Sequence, residues 1–231
     1  SPRSCATPWP AMAEPGPLIG RGRDADVYDI GGGRVLRRYR TEHDSAPEAA
    51  IMAHLADHGF PVPAVHDVDG RDLVMDRVEG ATQLDVLLRR PWRAASFGRE
   101  LAELHRRLDA VPAPAGRTGG VLHLDLHPGN VMCAPDGPVV IDWNNAGVGD
   151  RADDVATTWL LLAVGRPDGG RVIQALASVL RRRLLAGFLA SVDVEAARAS
   201  LGDVCAAREL DPNMGPEELA AIRALGAAAS R

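Results

Sequence analysis

Asp125, Asn130 and Asp142 have the types and spacing that phosphoryl transfer from a nucleoside triphosphate demands of a base and two metal ligands. Asp125 and Asn130 lie five residues apart in His123-Leu124-Asp125-Leu126-His127-Pro128-Gly129-Asn130, and Asp142 ends the apolar run Val139-Val140-Ile141. A hydroxyl attacking a γ-phosphoryl group must be held in line and must lose a proton, which a carboxylate within hydrogen-bond reach accepts. Asp125 is the candidate base. The phosphates carry clustered negative charge that Mg²⁺ offsets while bridging their oxygens. Asn130 and Asp142 supply hard oxygen donors, one amide and one carboxylate, from opposite sides of a hairpin. Asp, His, Pro, Gly and Asn also populate plain turns for backbone reasons, so the assignment rests on spacing and flanking strands rather than on residue type alone.

At these residues the chain resembles the aminoglycoside phosphotransferase family, bacterial small-molecule kinases with the protein-kinase-like fold. His127-Pro128-Gly129-Asn130 carries the likeness, as does the stretch Trp143, Asn144, Asn145, Ala146, Gly149-Asp150 and Asp154-Val155-Ala156; identifiable motifs run over about residues 18–165. The resemblance implies Asp125 as base, Asn130 and Asp142 as magnesium ligands, and His127 near the γ-phosphate, where a protein kinase carries Lys. It implies ATP or GTP as donor, and as acceptor a hydroxyl of an aminoglycoside, amino sugar or amino alcohol. The Asp-Phe-Gly and Ala-Pro-Glu landmarks of protein kinases are absent, which favours a small-molecule acceptor. The expected fold class is α+β. A small antiparallel-sheet N-lobe over 18–78 would clamp the nucleotide, and a mostly helical C-lobe over 79–231 would carry the catalytic loop and the acceptor pocket.

Several elements must position these residues. Leu18 to Val27 runs close to a Gly-rich phosphate loop, with Gly20 and Gly22 in place and Ala25 at the third glycine. Glycines let backbone amides approach phosphates with no Cβ in the way; a hairpin turn explains the same glycines equally well. Val27–Ile30 reads as a strand, Gly31-Gly32-Gly33 as a turn and Arg34–Tyr39 as the next strand. Period-two alternation puts Val35, Arg37 and Tyr39 on one face and Leu36 with Arg38 on the other.

A kinase carries a phosphate-contacting Lys on this second strand. The chain has no lysine; all 26 of its basic residues are arginine. Arg37 falls at the Lys position, Val35 where the adenine contact lies, and Glu48, in a helix predicted over 47–57, is the expected partner of Arg37. Arg and carboxylate form a bidentate pair, but a planar guanidinium does not present its charge as a compact ammonium does. Arg37 is therefore either a working substitute, in a chain that has replaced lysine everywhere, or the mark of a catalytically impaired pseudokinase-like nucleotide-binding module. Farther on, a hairpin through Asp69-Gly70 leads into Asp72–Gly80. By resemblance, Asp76 to Val78 carries the backbone groups that read adenine, with Met75 behind the pocket.

In the C-lobe, Thr82 caps a helix to about Arg90 and Pro91 stops it. From Trp92 to Leu108, Phe97, Leu101, Leu104 and Leu108 form a buried stripe. Pro112–Gly120 is a loop. Asp153 and Asp154 open a helix through Val164, where carboxylates suit the free first-turn amides, and Arg166 with Pro167 ends it. Helices follow over about 171–190, 194–209 and 216–228. Asp150, Asp153, Asp203 and Glu209 are candidates for holding cationic groups of an acceptor. Arg181-Arg182-Arg183 reads as a polar helix side, His54 and His58 as surface residues, and His123 as a brace of the catalytic loop.

A hydrophobic share of 46% allows a sizeable core, and a net charge of -5 argues against nucleic-acid binding while suiting a cationic acceptor. Cys5, Cys133 and Cys205 are too far apart for a zinc site and read as reduced thiols of a cytoplasmic protein. No apolar run is long enough to span a membrane. The proline-rich residues 1–17 are expected to be a disordered tail, and Met12 is a candidate natural start that would set residues 1–11 apart. The sequence leaves the oligomeric state open.

Overall fold

The computed structural model describes residues 15–22, 24–165, 171–211 and 214–229, and for 171–176 the backbone alone. Cys5, Met12, Arg23, the Arg166-Pro167 pair and most of the tail expected over 1–17 lie outside the described residues. The chain divides into two compact units, one ending at Glu79 and the other beginning at Gly80.

The first unit is an antiparallel sheet of β1 (Leu18–Arg21), β2 (Ala25–Gly31), β3 (Arg34–Tyr39), β4 (Val65–Asp69) and β5 (Asp72–Asp76), in the order β1-β2-β3-β5-β4. The β2–β3 turn uses three glycines with φ of 76°, 62° and 72°, a conformation that L side chains resist. β2 is longer than the expected 27–30 because its ladder with β3 starts at the Ala25–Tyr39 pair. In central β3, Val35, Leu36, Arg37 and Tyr39 are all buried, so alternation separates two covered faces and not an inner from an outer one. Only Arg38 is half-buried, its guanidinium gripping Asp72 with Nε donating to Oδ1 at 2.7 Å. Helix α1 (Ala46–Asp57) has Pro47 in its first turn, where no backbone donor is needed. It buries Glu48, Ala49, Met52 and Leu55, a stripe at helical spacing.

The second unit opens with β6 (Ala81–Thr82) and α2 (Gln83–Arg89), joined by a reciprocal cap between Thr82 and Asp85. Pro91 starts a 3₁₀ turn over Pro91–Arg93, so α3 (Ala94–Asp109) begins two residues after the expected Trp92. Its stripe Phe97, Leu101, Leu104 and Leu108 is at most 1% exposed. The remaining helices are α4 (Arg151–Val164), α5 (Arg171–Leu189), α6 (Val194–Arg208) and α7 (Pro216–Ala229). Arg181 of α5 donates to the Gly165 carbonyl at 2.9 Å, while Arg182 and Arg183 are exposed. β7 (Gly120–Leu122) pairs with β10 (Gly147–Gly149), and β8 (Val131–Ala134) and β9 (Gly137–Val140) form a hairpin that β6 extends. No helix among the described residues is long and apolar enough to cross a membrane.

α3 and α5 cross with their backbones in contact. A Cβ on Gly98 would lie 2.1 Å from the Leu184 carbonyl oxygen, and one on Gly187 would lie 2.2 Å from that of Ala95. Neither obstacle is a flexible side chain, so the helices themselves would have to part. Gly98→Ala is expected to destabilise by about 1–3 kcal/mol, read as a melting-temperature fall of about 2–4 °C per kcal/mol. A melting temperature equal to that of the parent would contradict the crossing.

Candidate active site

The loop from His123 to Asn130 follows β7 and is held from beneath by helices. Asp154 of α4, 2% exposed, accepts from the backbone amides of His123 (Oδ2, 3.1 Å) and Leu124 (Oδ1, 2.6 Å). One turn along α4, the Thr158 hydroxyl donates to the Leu126 carbonyl at 2.9 Å. His105 of α3 lies with Nε2 2.9 Å from Thr158 Oγ1 and Nδ1 3.4 Å from Asp154 Oδ2. The loop needs such anchoring, since Leu124 has φ of 60° and Asp142 has φ of 68°. They are the two non-glycine residues with positive φ among those described, and each holds a conformation that costs of the order of 1–3 kcal/mol.

His123 is buried and fully committed. Its Nδ1 accepts from the Asp125 amide at 3.2 Å, so its proton sits on Nε2, which donates to the Ile141 carbonyl at 3.1 Å. Burial pushes the pKa of His123 below its ordinary 6.5, against the opposing pull of Asp154, the Ile141 carbonyl, Asp125 and Asp142. The unfolded chain takes up this proton as pH falls through about 6.5, and the folded chain does not. The contribution of His123 to stability is therefore complete above that pH and is lost below it, at about 1.4 kcal/mol per pH unit. Urea midpoints at pH 7.5, 6.5 and 5.5 are expected to fall in that order, with a shallower dependence in His123→Gln. An equal slope in the variant would remove His123 as the source.

Asp125 and Asn130 are in direct contact. The Asn130 amide nitrogen donates to the Asp125 carbonyl at 2.9 Å and to its carboxylate Oδ2 at 3.2 Å. With that nitrogen spent, the side-chain oxygen is the atom Asn130 has left for a cation. Asn130 immediately precedes β8, and the Ile141 amide closes the hairpin by donating to the Asn130 carbonyl at 3.0 Å. Asp142 follows, so the hairpin base brings an amide oxygen and a carboxylate to one end. The Trp143 indole fixes that corner by donating to the Val140 carbonyl at 3.0 Å, its ring 4.5 Å from that of His123. This donor set is hard oxygen and fits Mg²⁺. No group of three or more His, Cys, Asp or Glu side chains among the described residues could hold a metal alone. Asn130 and Asp142 are the residues that would hold such an ion.

His127 Nδ1 accepts from the Gly129 amide at 3.0 Å, which leaves the proton on Nε2, 3.9 Å from Asp125 Oδ2. Burial lowers its pKa; Asp125 and Asp142 oppose that shift, and Arg208 of α6 reinforces it. The positive charge of Arg208 in this field had no counterpart in the sequence analysis, because Arg208 lies 81 residues beyond His127 with no periodic signal joining the two.

In the first unit, Arg37 Nη1 donates to Glu48 Oε1 at 2.8 Å, and the Tyr39 hydroxyl donates to Glu48 Oε2 at 2.7 Å. The strand and helix that carry Arg37 and Glu48 are thus joined by a buried pair, with side-chain exposures of 10% and 3%. Val35, paired with Met75, is buried in the same strand. Gly20 pairs with Val27, and the Gly22 amide closes the β1–β2 hairpin on the Ala25 carbonyl at 2.8 Å. The Arg40 guanidinium adds a bond to the Gly22 carbonyl at 2.9 Å. The Asp76 amide donates to the Ala64 carbonyl and the Arg77 amide to the Gly33 carbonyl, both at 2.9 Å. The Val78 amide makes no such bond among the described residues, and of these three donors it is the one left for a ligand.

The four candidate acids separate. Asp150 caps α4 by accepting from the Ala152 amide at 2.9 Å, and Glu209 pairs with Arg223 at 2.8 Å. Asp153 and Asp203 carry no such ties among the described residues. Asp154, expected to serve the amides of its own first turn, leaves that task to Asp150 and serves the loop after β7 instead. His105 and Thr158 went unread in the sequence. The available signal was a histidine on the α3 buried stripe, since a buried polar group has to find partners. Cys133 and Cys205 are free thiols whose pKa values burial pushes up.

A profile described as "Phosphotransferase enzyme family" (APH) matches residues 16–118 and 70–188. Homoserine kinase of Caulobacter sp. (strain K31) is 31% identical over 144 residues, 60% of this chain and 42% of that protein. Thiamine kinase of Escherichia coli (strain SMS-3-5 / SECEC) is 34% identical over 68 residues, 29% of this chain and 23% of that protein. The chain thus spans less than half the length of these curated relatives. A thermostable mutant of aminoglycoside phosphotransferase APH(4)-Ia superposes with a TM-score of 0.62 at 16% identity over 92% of each chain. A choline/ethanolamine kinase family protein from Mesorhizobium loti gives 0.52 at 16% identity, over 96% of this chain and 88% of that one. The fold is protein-kinase-like, with an antiparallel sheet in the N-terminal part and a mostly helical C-terminal part.

Proposed function

The chain belongs to the phosphotransferase enzyme family, and from that premise we propose that it moves the γ-phosphoryl of ATP or GTP to a hydroxyl of a small molecule of the aminoglycoside, amino sugar or amino alcohol type. The observation that carries this reading is the Asp125–Asn130 contact at the base of a hairpin whose far side ends on Asp142. In this reading Asp125 takes the acceptor's proton. Asn130 holds the carboxylate in place and, with Asp142, offers oxygens to Mg²⁺, whose role when bound is to offset phosphate charge. The Nε2–H of His127 is a donor for the γ-phosphate, and Arg37, oriented by Glu48, is the cation for the remaining phosphates. Val78 offers its amide to adenine, Asp76 its carbonyl, and Val35 an apolar contact. Gly20 and Gly22 shape the phosphate loop. Residues 18–78 would act as the nucleotide clamp and 79–231 as the catalytic and acceptor-binding part, with Asp153 and Asp203 available to an amino group.

The homoserine and thiamine kinases and the aminoglycoside phosphotransferase support a small acceptor by name. Neighbours solved with ATP or AMP-PNP support ATP as donor. One observation favours a rival, a pseudokinase-like nucleotide-binding module: a guanidinium stands where an ammonium is expected. The test sets Mg-ATP and Mg-GTP against a panel of aminoglycosides, amino sugars, amino alcohols and hydroxy amino acids, following nucleoside diphosphate release. Acceptor-dependent release supports the kinase; tight Mg-nucleotide binding with no release on any acceptor supports the rival.

A further inference from the structure

The two residues that flank Asp125 are held by α4 at positions one helical turn apart. Asp154 takes the Leu124 amide and Thr158 the Leu126 carbonyl. The hydroxyl proton of Thr158 is spent on Leu126, so toward His105 Nε2 its oxygen can only accept. The other ring nitrogen, Nδ1, lies 3.4 Å from Asp154 Oδ2 and donates to that carboxylate when the ring carries both protons, as an imidazolium. One imidazole, 3% exposed and supplied by a different helix, therefore touches both anchors at once. Its ring also packs against Phe188 of α5, with centroids 5.7 Å apart, which limits how far it can swing.

We propose that His105 and Thr158 are positioning residues of the phosphoryl-transfer site, His105 being the tie that fixes the Thr158 anchor relative to the Asp154 anchor. The chemistry explains why both are needed. Asp154 holds the Leu124 amide and the His123 imidazole the Asp125 amide, both on the N-terminal side, where Leu124 sits in a left-handed conformation. Asn130 holds the Asp125 carbonyl from the other side but leaves Leu126 between them free to shift, and the carboxylate must meet the acceptor hydroxyl within about 0.5 Å. Gripping the Leu126 carbonyl removes that freedom, and the grip is firm only if the Thr158 rotamer is set, which the His105 bond does. The proposal rests on Asp125 being the base.

The test uses the full chain with Thr158→Val, Thr158→Ser, His105→Phe and the double variant His105→Phe/Thr158→Val. Each is measured for kcat, for the nucleotide KM, for melting temperature and for amide hydrogen exchange in peptides spanning 123–127. Thr158→Val is expected to lose about 10- to 100-fold in kcat, the scale of a displaced reacting group, with a nearly unchanged nucleotide KM. Its loop amides should exchange faster, with a melting temperature lower by a few degrees because the Leu126 carbonyl and the His105 Nε2–H lose a buried partner. Thr158→Ser should restore both kcat and protection, and the double variant should lose no more than the worse single one. Losses that multiply in the double variant would overturn the tie, as would unchanged exchange in Thr158→Val. Should His105→Phe fail to fold, the Thr158→Val and Thr158→Ser pair decides alone. Should no acceptor be phosphorylated by the parent, the exchange data still judge the tie, and the kinase reading fails separately.

Discussion

Asp125→Ala is expected to lower kcat by about 10²–10⁴-fold, the contribution of a positioned base. Nucleotide affinity should stay within about threefold, because in the proposed role the lost group acts on the acceptor and not on the phosphates. The side chain receives the Asn130 amide at 3.2 Å, but the same nitrogen also donates to the Asp125 carbonyl at 2.9 Å. Asn130 therefore keeps a partner in the variant, and the loop retains its shape. The anchors of that shape are Asp154, Thr158 and the His123 imidazole, none of which contacts the deleted carboxylate. Nucleoside diphosphate release and nucleotide titration calorimetry on the same preparation check both halves. Turnover equal to the parent's would remove Asp125 from the base role.

Glu48→Ala is expected to cost about 3–5 kcal/mol, the scale of breaking a buried ion pair from one side. Arg37 loses its 2.8 Å contact and the Tyr39 hydroxyl its acceptor, both inside the first unit. Urea denaturation followed at 25 °C reads the loss directly; a change below about 1 kcal/mol would mean the pair behaves as an exposed one. Arg37→Lys complements it. A lysine can keep an ion pair with Glu48, so stability should change far less than in Glu48→Ala. Lower turnover in Arg37→Lys would mark the guanidinium as a working substitute, and higher turnover would mark it as an impairment.

The candidate site was legible where it is local. Asp125 and Asn130 are five positions apart and Asp142 closes a hairpin that starts at Asn130, so linear spacing already encodes their proximity. Arg37 and Glu48 were legible for a similar reason: strand alternation and one helix turn are enough to pair them. The stripe on α3 read correctly because its burial follows helical period. What could not be read is non-local. β7 and β10 pair over three residues each, with glycines at Gly120, Gly147 and Gly149, and carry no strand signature of their own. Asp154 was given its commonest duty, that of a first-turn acid, whereas its real partners lie some thirty residues earlier. A hydrogen bond across that separation leaves no trace in composition or periodicity.

The guanidinium of Arg37 has a consequence for chemical biology. Reagents that capture nucleotide sites by acylating a primary amine need a lysine Nζ, and this chain has none anywhere, every one of its 26 basic side chains being an arginine. An acyl-phosphate nucleotide analogue would find no lysine amine at the β3 position where kinases carry one. Dicarbonyl reagents, which close a ring on a guanidinium, have their target in the strand, but Arg37 is 8% exposed and already paired with Glu48. Protection of the site during covalent labelling would thus report the opening of the β3–α1 pair rather than the occupancy of a lysine.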